Sequence, residues 1–64
     1  MKNFEVYHTE TGAVKNIKAT LKTLPTKLEK VFGKGFWLYQ PNTDENFIGS
    51  FEVGDNLYHI YGQP

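Results

Sequence analysis

The side chains able to do chemistry in this chain of 64 residues are His8 and His59, seven carboxylates and seven lysines, with no cysteine and no arginine. An enzyme built from this set needs an oriented imidazole as general base. His59 is the candidate, because a hairpin over residues 47–61 would bring Glu52 or Asp55 near its ring. No nucleophile elbow, metalloprotease helix, phosphate-binding glycine loop or dinucleotide fingerprint accompanies it. The sequence therefore predicts no catalytic residues and a non-enzymatic protein.

Metal chemistry fares no better. Two histidines without thiols cannot close a structural zinc site. The run Asn42-Thr43-Asp44-Glu45-Asn46 has the oxygen ligands of a calcium loop but neither its alternating spacing nor its closing glutamate. It reads as a solvated turn. No metal, no other cofactor and no disulfide is expected.

Aromatic residues are the more informative signal, with five Phe, four Tyr and one Trp. In Lys34-Gly35-Phe36-Trp37-Leu38-Tyr39 the aromatics follow a lysine on a strand-like segment, as in stacking platforms for single-stranded nucleic acid. The opening Lys-Gly-Phe echoes an RNA-recognition signature, but Trp37 stands where that signature requires Gly or Ala. A nucleic-acid site would combine Trp37 and Tyr39 with Lys15, Lys18, Lys22 and Lys34.

Charge is distributed unevenly behind a net value of zero: residues 11–43 hold six lysines against Glu29, and residues 44–64 hold only acids. The absence of arginine removes the planar fork used to read phosphate and guanine. The acidic end argues against a uniformly basic surface. The favoured reading is recognition of another protein, because the chain holds more aromatics than one short helix can hide and Tyr and Trp are enriched at interface hot spots. Trp37, Tyr39, Tyr58 and Tyr61 are the expected anchors, and Glu52 and Asp55 the orienting charges. The size invites comparison with small bacterial or phage-encoded regulators and inhibitors of host enzymes. Nucleic-acid binding is the alternative.

These residues must be positioned by a small α+β domain spanning residues 1–64. Phe4 to His8 alternate with period two, and Thr9-Glu10-Thr11-Gly12 supplies a turn with Gly at the left-handed position. The returning strand runs from Ala13 to Leu21, with Ile17, Ala19 and Leu21 on one face. The same stretch also fits a helix, since Val14, Ile17, Leu21, Leu24, Leu28 and Val31 step by 3 and 4. Turn chemistry and Pro25 favour the strand. A helix of about two turns follows from Pro25 to Gly33, capped by Thr26 with Glu29 and buried through Leu28, Val31 and Phe32.

Phe36 to Gln40 is apolar on both faces and so reads as a central strand. Pro41 to Asn46 reads as a loop. Phe47 to Val53 and Leu57 to Tyr61 form a hairpin around Gly54-Asp55-Asn56. A three-residue turn there places Phe47, Gly49, Phe51 and Val53 with Leu57, His59 and Tyr61 on one face, and Ile48, Ser50, Glu52, Tyr58 and Ile60 on the other. The order is β-β-α-β-β-β: an antiparallel sheet with one short helix packed on one face and the other partly wet.

Length sets the remaining bounds. A core this small rarely supplies more than about 3 to 5 kcal/mol, so a monomer or a weak homodimer joined at a strand edge is expected. No apolar run reaches the roughly 18 residues of a membrane span, and the N-terminal residues lack a signal-peptide apolar stretch. A cytoplasmic protein without membrane association follows.

Overall fold

In the computed structural model residues 2–42 and 46–62 are described. Residues 43–45, the middle of the segment compared with a calcium loop, lie outside them. The elements are β1 (Lys2–His8), β2 (Val14–Ala19), α1 (Leu24–Phe32), β3 (Phe36–Asn42), β4 (Phe47–Val53) and β5 (Asn56–Gly62). They form the expected β-β-α-β-β-β order, and residues 14–19 are strand. All pairings are antiparallel, in the order β2-β1-β5-β4-β3.

The first hairpin closes as its sequence demands. Gly12 takes a φ of 77°, and its N–H donates to the His8 carbonyl at 2.9 Å. Strand β2 stops at Ala19 rather than Leu21. Thr20 and Thr23 end it by a reciprocal clasp: the Thr20 N–H donates to Thr23 Oγ1 at 3.1 Å and the Thr23 N–H to Thr20 Oγ1 at 3.2 Å. Such side-chain capping competes with the strand ladder and starts a helical turn. Leu21 is left exposed in that turn.

The clasp corrects the expected helix start. Thr23 is the N-cap, Pro25 lies in the first turn where a missing N–H is harmless, and Thr26 is already inside the helix. Leu24 and Leu28, four residues apart, are wholly buried and anchor α1. Phe32, one turn further, stacks on Tyr58 with ring centroids 4.3 Å apart. Val31, expected on the buried stripe, is exposed because the stripe runs through 24, 28 and 32.

Two further expectations are corrected by the sheet. Strand β3 lies at an edge, and the central strand is β5, which pairs with both β1 and β4. Strand β3 also extends to Asn42 through Pro41, and a proline is tolerated in an edge strand because it need not donate to a neighbour. The β4–β5 turn has two residues instead of three, since Val53 pairs with Asn56. Gly54 takes a φ of 58° at the first central position, where a type II′ turn needs glycine.

That one-residue difference turns β5 over. Tyr58 and Ile60 join Phe51 and Val53 on the helix side, while Leu57, His59 and Tyr61 go to the other face with Glu52 and Ser50. A register shift between Phe47 and Gly49 keeps Phe47 opposite Tyr61, on that other face. The core is Phe4, Val6, Ile17, Ala19, Leu24, Leu28, Phe51 and Ile60, with Phe32, Trp37, Ile48, Val53 and Tyr58 packed around it.

Candidate protein-interaction face

The sheet face opposite α1 can be assembled residue by residue from the strand registers. One row crosses all five strands: Val14, Tyr7, His59, Ser50 and Leu38 stand opposite one another in turn. To one side lie Leu57, Glu52 and Phe36, and to the other Asn16, Glu5, Tyr61 and Phe47. Alternation along each strand puts these residues together, and no described element packs on them.

The face is apolar and open. Phe36 retains 64% of its accessible surface, Val14 52% and Leu38 40%. At its centre the rings of Phe47 and His59 meet edge to face at 5.3 Å, and those of Phe47 and Tyr61 at 5.5 Å. This geometry orders half-buried aromatics into a firm platform. Glu52 is exposed between Leu57 and Phe36, and Asp55 is exposed at the adjoining turn.

The anchors expected from sequence divide between two faces. Tyr61 and Glu52 are on the open face, with Asp55 at its rim. Trp37, Tyr39 and Tyr58 are on the helix side, opposite Phe51, Gly49 and Phe51 respectively. Tyr58 is a core-packing residue, held between Phe32 and the edge-on ring of His8 at 4.9 Å. Trp37 packs against the core, whereas Tyr39 is largely exposed. Tyr7, Leu38, Phe47, Leu57 and His59 belong to the open face and were not among the expected anchors. The alternation of β1 carried a signal for Tyr7; the β5 residues were hidden by the turn length.

The nucleic-acid set is also divided. Lys15 faces the helix side of β2 and Lys18 the open side, while Lys22 and Lys34 flank α1. Trp37 and Tyr39 are on β3, at the far edge of the sheet from β2. Four strand spacings, about 19 Å, separate the two edges.

The histidines occupy opposite faces. His8 holds the first turn together, because its Nδ1 accepts from the Glu10 N–H at 3.2 Å and the Thr11 N–H at 3.1 Å, which assigns the proton of the neutral ring to Nε2. Nε2 donates to Asn56 Oδ1 at 2.9 Å and ties the first hairpin to β5. Beside it lies a shallow cleft of about 200 Å³ lined by Val6, His8, Val14, Lys15, Phe32 and Tyr58 among others. His59 stands opposite Ser50 and Tyr7, with Glu52 one pair further along, opposite Leu57.

No protein family, curated protein or solved structure matches the chain. Among the described residues no helix is long and apolar enough to cross a membrane. The functional reading therefore rests on the face itself.

Proposed function

We propose that this protein is a non-enzymatic module that binds another protein through the open face of its sheet, as an accessory regulator or inhibitor. The observation that carries the reading is that face: Tyr7, Val14, Phe36, Leu38, Phe47, Leu57 and Tyr61 share it, while α1 covers the opposite one. Accessible aromatic and aliphatic side chains interleaved with Glu5, Ser50, Glu52 and His59 on one sheet face make the mixed apolar and polar surface of a protein interface. Glu52 and Asp55 favour a partner whose apolar patch is bordered by lysine or arginine.

The division of Lys15 and Lys18 between two faces, remote from Trp37 and Tyr39, counts against a continuous single-strand track. The employment of His8 in holding a turn counts against catalysis there.

Affinity capture with two baits tests the proposal: the natural chain, and a variant carrying Phe36→Ser and Leu57→Ser, both on exposed sites. A protein retained by the first and lost by the second, with little change between low and physiological salt, is the expected outcome. Equal retention by both baits would sink the open face as the site. In parallel, mixed-sequence oligonucleotides are titrated against the emission of Trp37, the sole indole. Saturable quenching that weakens steeply with salt would replace this reading with nucleic-acid binding.

A further inference from the structure

The two edges of the sheet are unlike. Strand β2, Val-Lys-Asn-Ile-Lys-Ala, carries Lys15 and Lys18 within six residues and has α1 packed beside it. Lysines on an edge strand discourage pairing with another chain. Strand β3, Phe-Trp-Leu-Tyr-Gln-Pro-Asn, carries no charge, and among the described residues it pairs only with β4. Its first five residues combine high strand propensity, apolar character and no charge, the composition of an edge that seeks a partner strand.

Backbone direction shows which groups that edge offers. The Leu38 carbonyl points at Gly49 of β4, where a Cβ would collide with it. Successive residues of a strand direct their N–H and C=O alternately to its two sides. Trp37 and Tyr39 therefore present theirs away from β4.

We propose that β3 pairs antiparallel with β3 of a second copy about a two-fold axis through Leu38. In this register Trp37 of one copy and Tyr39 of the other exchange two hydrogen bonds, and the symmetry repeats them, so the outward groups of both residues are all satisfied. Leu38 meets its own counterpart as the closely spaced, non-hydrogen-bonded pair, with Cα atoms about 4.5 Å apart. Trp37 and Tyr39 become cross-strand aromatic neighbours on the helix side. The absence of charge in β3 means that symmetry brings no like charges together.

A second copy is favoured over a foreign strand by self-complementarity and by closure. Pairing β3 with β3 through its first five residues, ahead of Pro41, consumes the charge-free edge of both copies and leaves only the lysine-bearing β2 edges outside, so growth stops at two. The dimer also shields Phe36, Leu38 and Tyr39, and adds stability to a chain whose core among the described residues is eight side chains. Its hydrogen bonds come from backbone groups at the edge, and it covers Phe36 and Leu38 at one margin of the open face.

Sedimentation of the full chain gives the first test. The expected mass is twice the 7.4 kDa chain at tens of micromolar; a single-chain mass up to several hundred micromolar would overturn the proposal. Cysteine placement gives the second, because the chain has none of its own. Under mild oxidation Leu38→Cys is expected to form a disulfide-linked dimer at least tenfold faster than Val14→Cys, which puts an exposed thiol on the other edge. Equal rates, or faster linking through residue 14, would refute pairing through β3. Leu38→Lys, with circular dichroism confirming the fold, is expected to return the mass to one chain; a folded variant that stays dimeric would refute the axis at Leu38.

Discussion

The two faces of the sheet are built from neighbouring residues of the same strands yet differ in what they do. On β5, Ile60 is wholly buried beneath α1, while His59 and Tyr61 on either side of it lie on the open face. On β4, Phe51 is core and its neighbours Ser50 and Glu52 face away from it. The helix side holds Leu24, Leu28, Phe4, Val6, Phe51 and Ile60 in one cluster, so stability is concentrated there. The open face holds as many large side chains but leaves them accessible. Among the described residues there is one helix, and covering one face with it leaves the other accessible.

Truncation on the helix side is expected to have the largest effect. Ile60→Ala removes a buried branched side chain and should cost about 2 to 5 kcal/mol, a large share of the roughly 3 to 10 kcal/mol typical of a domain this size. Urea unfolding measures it. A loss below about 1 kcal/mol would mean that Ile60 is not core, as a three-residue turn would have it.

The turn that sets this division is the next point of attack. Gly54→Ala forces a side chain onto a left-handed backbone and should destabilise by about 1 to 2 kcal/mol. An unchanged midpoint would argue against the two-residue turn and the strand register it imposes.

The histidines sharpen the comparison at the smallest scale. His8→Ala deletes the acceptor of two backbone N–H groups and the link to Asn56, and should cost about 1 kcal/mol in unfolding experiments. His59→Ala loses an edge-on contact with Phe47 on the accessible face and should cost about half that or less. If the order were reversed, the open face would be carrying stability, against the recognition role proposed for it.

Much of this was legible without coordinates. The turn at Gly12 was visible because a left-handed residue after a polar run admits few alternatives. Strand β2 is separable from a helix only through that turn and Pro25, since Ile17 and Leu21, four residues apart, satisfy both periods. Thr26 with Glu29 resembles a capping box and predicts too late a start, whereas the helix begins at Leu24 after the Thr20–Thr23 clasp, with Thr23 as an N-cap that makes no side-chain bond to the helix. The candidate site is half legible: Tyr61 and Glu52 are on it, but the face that Trp37, Tyr39 and Tyr58 occupy depends on strand order and register, which composition does not specify.

Sequence by itself determined the class of fold, the order of its elements, the single helix and the surplus of aromatics, because these follow from local periodicity, turn residues and composition. Tertiary structure alone decided two things. One is the place of β3 at an edge, since a strand apolar on both faces can be central, or can stand at an edge that is left for a second chain. The other is the register of the β4–β5 hairpin, where Asn56 belongs to the strand rather than the turn. With a side-chain period of two, that single residue decides whether His59 and Tyr61 or Tyr58 and Ile60 enter the core, and only the competition to bury Ile60 beneath Leu24 and Leu28 resolves it.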